Sequence, residues 1–183
     1  MERFNLLALS GSLRKSSYNT AALKALELLA PSHIKISVGD IAKLPLFNPD
    51  REEENIPALG ELKLVLGESD GLIIASPEYA HGVSGPLKNA LDWLVSGAEF
   101  PVMPIMLINT SPRASHAQAS LREILTTMSA NVIHKAHVSI PLLSSELDVE
   151  GIVANTEISA ALQNGLAVFC QEIKALKSFG GLS

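Results

Sequence analysis

The sequence predicts an α/β fold, a three-layer sandwich in which a parallel sheet of five strands is covered by helices on both faces. Three observations carry this reading. Short apolar runs bounded by turn residues alternate with helical patterns along the chain. Some of those runs are apolar at every position, as strands buried on both faces are. Strand and helix patterns interleave rather than segregate, the order that parallel crossover units need. At 183 residues and 47% hydrophobic content the chain can bury a sizeable core, and residues 1–183 read as one domain without linker or repeat.

The elements follow in order. FNLLALS (4–10) is a buried strand, and 19–29 is helical. IKISVGD (34–40) alternates like a second strand. LPLFNPDREEENIP (44–57) is the one long irregular stretch; Arg51 and Glu52 to Glu54 mark it as a solvated loop, with partner contact as the alternative. ELKLVLGES (61–69) ends a helix, and GLIIAS (71–76) is a third strand apolar on both faces. A helix spans 85–96, PVMPIMLINTS (101–111) contains a fourth strand, and a helix spans 115–130. VIHKAHVSI (132–140) reads as the fifth strand and 156–179 as the last helix. Five parallel strands suit the flavodoxin-like order 2-1-3-4-5, where ligands bind beyond the carboxyl ends of the strands near the switch in strand order. The loops after strands one, three and four are therefore where chemistry is expected.

Composition removes several function classes. A net charge of −5 without a basic stripe argues against nucleic-acid binding. No apolar run is long enough to span a membrane, and the first residues read as a strand rather than a secretory leader. The single cysteine, Cys170 in GLAVFCQEI, excludes an internal disulfide and reads as a buried, inert thiol. The expected location is the cytoplasm. His134 and His137 would point to opposite faces of a strand, so they make a poor metal pair.

The first loop, Ser10 to Asn19, leaves a strand through small polar residues and enters a helix at once. A helix start offers unpaired N–H groups and a positive dipole end, which attract phosphate. Ser12, Ser17 and Asn19 add short donors, Arg14 adds a forked charge, and Gly11 allows a tight exit. Simple capping by Ser17 or Asn19 is the alternative, although it leaves Gly11 and Arg14 unexplained. In the second loop, SPEYAHGVSGPLKNALDWL (76–94), Pro77 sets the exit, Tyr79 offers a flat face, and Gly82 and Gly85 let backbone approach a planar ligand. Lys88 and Asp92 read as an i,i+4 pair and Trp93 as core. In the third loop, NTSPRASHAQ (109–118), Ser111 ends the strand, while Arg113 and His116 read equally as contacts to a second ligand or as exposed side chains.

Together, GSLRKSSYN and SPEYAHGVSGPLKNALDWL resemble the NADPH-dependent FMN reductase family of flavin, quinone, azo and chromate reductases. The resemblance runs to about residue 140. It implies an FMN cofactor whose phosphate is held by Ser12, Arg14, Ser17 and Asn19, with Ser10 and Tyr18 in the same loop. It places Pro77, Glu78 and Tyr79 along the ring and ribityl chain and Ser111 near the ring, and it assigns no catalytic side chain. It also implies NADPH or NADH as reductant, a small-molecule electron acceptor and a homodimer or homotetramer. The chain departs from the family pattern at Ala80, where asparagine is usual, at Gly82 and Ser84, where serine and proline are frequent, and in a third loop without a glycine-rich run.

Rival classes find less support. Ser12-x-x-Lys15 has the spacing of a penicillin-recognising enzyme, but Ser-Asp-Asn and Lys-Thr-Gly elements are missing, as is a Gly-x-Ser-x-Gly elbow. A Gly-x-Gly-x-x-Gly fingerprint is absent after the first strand. A flavodoxin-type electron carrier remains the alternative, although carriers are usually more acidic and hold the ring between aromatics, which are only 4% here.

Overall fold

The computed structural model describes residues 2–113 and 115–180; Met1, Ala114 and residues 181–183 lie outside the described residues. The strands are β1 (Phe4–Ser10), β2 (Ile34–Gly39), β3 (Gly71–Ala75), β4 (Glu78–Tyr79), β5 (Gly82–Val83), β6 (Pro104–Asn109), β7 (Asn131–Val132) and β8 (Val138–Ser139). The helices are α1 (Tyr18–Leu29), α2 (Pro57–Gly67), α3 (Gly85–Leu94), α4 (Ser115–Thr127), α5 (Val149–Ala154) and α6 (Thr156–Gly180). The main sheet runs β2-β1-β3-β6-β7, with β8 also paired to β6, and every pairing in it is parallel. This is the expected order, with the fifth place shared by β7 and β8.

The continuous apolar runs explain the layering. Successive strand residues face opposite sides, so each central strand feeds two cores. Leu6, Ala8, Ile73, Ala75, Met106 and Ile108 pack with Leu23 and Leu26 of α1, Ile152 of α5 and Leu162, Leu166 and Phe169 of α6. Leu7, Leu9, Leu72, Ile74, Ile105 and Leu107 pack with Leu62 and Leu66 of α2, Leu91, Trp93 and Leu94 of α3, and Leu121 and Leu125 of α4. Each fully buried Leu or Ile contributes about 1.5–3 kcal/mol, so the sheet's position is set from both sides.

The stretch expected as one strand over 132–140 is instead broken. A 3-10 turn at His134–Ala136 separates β7 from β8. Ala136, Val138 and Ile140 keep the strand period, but Ile133 is out of phase with them; the turn brings all four into the same core. His134 and His137 therefore do not oppose each other across a strand. His137 lies against Arg122, with Nδ1 3.4 Å from Nη2. Burial first, then the Arg122 charge, pushes its pKa down.

The loop at 44–57 is only half solvated. Asn89 of α3 accepts from the Phe47 N–H at 2.8 Å and donates to the Pro45 carbonyl at 2.9 Å. Trp93 Nε1 donates to the same carbonyl at 2.8 Å, and Phe47 meets the Trp93 ring edge-on at 5.1 Å. Beyond it, Arg51 pairs with Glu54 at the surface. Among the described residues, no helix is long and apolar enough to cross a membrane.

Two outcomes test the packing. A Cβ on Gly165 of α6 would lie 2.2 Å from Val138 Cγ2. Alanine gains about 1 kcal/mol over glycine inside a helix, but overpacking a stiff β-branched neighbour costs roughly 1–3 kcal/mol. Gly165→Ala is therefore expected to lower the urea midpoint, and an unchanged or raised midpoint would contradict this packing. The Cys170 thiol is pushed up to about 11, chiefly by burial. Iodoacetamide at neutral pH should leave it unmodified in the folded protein and label it in urea.

Candidate functional site

β1, β3 and β6 end at one edge of the sheet, and the loops that follow them converge on a cavity of about 720 Å³. Its wall is built from Ser12 and Arg14 to Thr20, from Pro77 to Tyr79, and from Thr110, Ser111 and Arg113. A fourth element, Leu143 and Glu146 to Val149, closes one side. It was missed in the sequence, where the one signal was Asp148 as an N-cap; Asp148 Oδ1 accepts from the Gly151 N–H at 2.8 Å.

In the first loop the cap of α1 is Ser17, not Asn19. Ser17 Oγ accepts from the Thr20 N–H at 3.3 Å and its carbonyl from the Ala21 N–H at 2.8 Å. The N–H groups of Tyr18 and Asn19, which line the cavity, then have no partner within the helix. Asn19 Oδ1 accepts from Thr110 Oγ1 at 3.0 Å, tying the first loop to the third. The Tyr18 hydroxyl accepts from the Glu146 N–H at 3.2 Å and holds the fourth element. Arg14 is exposed on the wall, with Lys15 beside it and Lys24 further along α1. Ser10, expected at the cofactor, sits behind the loop instead. It is buried away from the cavity wall, and its Oγ lies 2.8 Å from Thr20 Oγ1. Gly11 is not needed for its dihedral freedom, because none of the described glycines has positive φ. It is needed for space, since a Cβ there would lie 2.5 Å from Ser76 Oγ.

The second loop forms a hairpin that the sequence did not announce. β4 and β5 pair antiparallel across Ala80 and His81, whose φ values are 49° and 60°. Positive φ at both turn positions is the type I′ pattern, in which asparagine and glycine are favoured. Gly82 and Gly85 are not on the cavity wall, and among protein atoms a Cβ on Gly85 would meet nothing within 4 Å and one on Gly82 only the Tyr79 carbonyl at 3.6 Å. Glu78 lines the cavity, but its carboxylate is engaged elsewhere. Oε2 accepts from the Ala117 N–H in the first turn of α4 at 2.8 Å, and Oε1 lies 3.2 Å from His81 Nδ1. The Ala117 N–H holds its pKa below the usual carboxylate range, helped by His81 and His116 against the opposing effect of burial. The His81 ring meets that of His116 edge-on at 4.5 Å. Tyr79 is half exposed on the cavity wall. Ser111 lines it too, with its N–H given to Asn109 Oδ1 at 3.0 Å.

The cavity is thus donor-rich and cationic at the start of α1, while Pro77, Tyr79 and Ser111 line it with a proline ring, a flat aromatic face and a hydroxyl. That polarity fits a ligand with a phosphate at one end and a planar ring at the other, as the expected FMN has. The Tyr18 and Asn19 N–H groups, without a partner inside α1, and the Arg14 and Lys15 charges beside them are the structural features that suit it.

Comparison with known proteins gives the same direction. A family model described as NADPH-dependent FMN reductase matches residues 4–143. The chain is similar to an NAD(P)H-dependent FMN reductase of Pseudomonas aeruginosa, at 30% identity over 94% of this chain and 96% of that protein. It is similar to a quinone reductase of Escherichia coli at 32% identity, covering 96% and 98%. Among solved structures, a flavoenzyme NAD(P)H:(acceptor) oxidoreductase of Paracoccus denitrificans superposes with a TM-score of 0.83 at 26% identity, covering 94% and 98%.

The turn supplies a stability test. A left-handed residue with a Cβ costs roughly 1–2 kcal/mol, which asparagine partly relieves. Ala80→Asn should add roughly 0.5–1 kcal/mol to stability and raise Tm by about 1–4 °C. A lower Tm would contradict the turn geometry. Glu78 has a lowered pKa when folded, so its stabilising share is present above its unfolded pKa of about 4.3 and is lost as pH falls through the lower folded value. Glu78→Gln should flatten that part of the stability–pH curve.

Proposed function

The chain belongs to the NADPH-dependent FMN reductase family, and on that premise we propose that it moves electrons from NADPH or NADH to a quinone, flavin or azo acceptor in a ping-pong cycle. It is an oxidoreductase enzyme that depends on FMN and a nicotinamide reductant. The observation that carries the finer reading is the cavity on which the loops after β1, β3 and β6 converge. One mouth serves reductant and acceptor in turn, which is the physical basis of the ping-pong order.

When bound, FMN accepts hydride and passes the electrons on. The chain's own part is to bind, orient and polarise. Ser12, Arg14, Ser17 and Asn19, with the Tyr18 N–H, are assigned to the phosphate. Pro77, Glu78, Tyr79 and Ser111 are assigned to the ring and ribityl chain, and Ser10 braces the phosphate loop from behind. Because Glu78 is held by Ala117 and His81, its role is to fix the loop's shape rather than to move a proton. Arg113, exposed on the wall, is assigned to the reductant's phosphate. The carrier alternative is less favoured. Among the described residues the aromatic side chains on the wall are Tyr18 and Tyr79, and the Tyr18 hydroxyl is bonded to the Glu146 N–H, so Tyr79 would offer a ring the less engaged aromatic face. The protein is proposed to act in the cytoplasm as a homodimer or homotetramer. Exposed apolar residues such as Leu46 on the pinned loop, Leu64 and Val95 offer surface for self-association.

The test is a visible spectrum of the protein with FMN, followed by anaerobic NADPH. A bound-flavin spectrum that bleaches supports the reductase; bound flavin that stays oxidised with both NADPH and NADH would favour the carrier. Arg113→Ala is expected to raise the KM for NADPH with little change in kcat, and an unchanged KM would remove Arg113 from the reductant site.

A further inference from the structure

Ser84 lies at the start of α3, 73 positions along the chain from Gly11, and is completely buried. Its hydroxyl donates to the Gly11 carbonyl at 2.6 Å. A Cβ on Gly11 would sit 2.9 Å from Ser84 Oγ, so the loop backbone lies directly against the hydroxyl. Ser76 Oγ is on the same side, 3.5 Å from Ser84 Oγ.

The Gly11 carbonyl and the Ser12 N–H belong to one planar peptide unit. Drawing the carbonyl toward Ser84 fixes that plane, and with it the opposite direction of the Ser12 N–H. Ser12 is on the cavity wall. Its N–H donates to Ser10 Oγ at 3.3 Å, on the inner side of the loop. Ser10 Oγ is in turn 2.8 Å from Thr20 Oγ1 in the first turn of α1. A line of short contacts therefore runs from the start of α3, through the Gly11 peptide, to the helix start that faces the cavity.

We infer that Ser84 is a positioning residue that, through the Gly11–Ser12 peptide, Ser10 and Thr20, holds the start of α1 in place for the flavin phosphate, so that the segment beside the ring sets the cofactor's grip at its other end. The inference rests on the FMN reading of the cavity. A proline here, frequent in the family, has no hydroxyl to hold the Gly11 carbonyl.

The experiment is a fluorescence titration of the full-length apo protein with FMN and with riboflavin, which lacks the phosphate. Ser84→Ala leaves a buried carbonyl without its donor, so FMN should bind about ten-fold more weakly, with riboflavin affinity held within about two-fold. Ser84→Cys fills the same space with a weaker donor and should fall between wild type and alanine. It also reads the same ratio if the alanine variant folds poorly. Equal weakening of both flavins would mean a general packing effect and overturn the inference, as would an unchanged FMN affinity in Ser84→Ala. Wild-type protein that binds neither flavin would overturn the cofactor reading itself, a result separate from any change in the FMN-to-riboflavin ratio.

Discussion

The close passage of the Gly11 backbone against Ser76 and Ser84 sets the geometry of the whole carboxyl edge of the sheet. β1 and β3 are neighbours in the sheet, so the loops that leave them begin side by side. With no side chain at Gly11 they stay in contact for a further residue instead of splaying. The remaining loops are tied by the same kind of bond: Asn19 to Thr110, Glu78 to the first turn of α4, and Tyr18 to the segment before α5. Each loop is fixed by a different loop, so the cavity is shaped before any ligand arrives. Less ordering then remains to be done on binding.

This arrangement also sets the local charge. The chain is acidic overall, yet Arg14, Lys15, Lys24 and Arg113 line the cavity beside Glu78, Glu146 and Asp148. Two of those carboxylates are engaged by backbone N–H groups, Glu78 by Ala117 and Asp148 by Gly151. The cations are exposed, which favours approach of anionic ligands to this edge over the rest of the surface.

The central strands were legible in the sequence because a strand buried on both faces must be apolar through its middle, and β1 over Leu6–Leu9, β3 over Leu72–Ala75 and β6 over Ile105–Ile108 are. The first loop was legible because few segments need Gly11, Ser12 and Arg14 directly before a capped helix. The hairpin at β4–β5 was not, because Ala80 and His81 carry no turn signal; only the fold brings His81 against Glu78 and His116. The break between β7 and β8 was hidden because three of its four core residues keep a strand's period. Ser10 looked like a ligand contact by its neighbours, but only the fold reveals that its hydroxyl turns back toward Thr20.

The alternation along β1, β3 and β6 divides the interior into two cores that share no side chain. A volume change in one compartment must be absorbed by the helices of that compartment, because the sheet between them transmits it only by moving whole strands. The outer helices are thus free to diversify face by face over evolutionary time. The strand ends that carry the cavity change only if both compartments change together, which shields the site from drift in either coat.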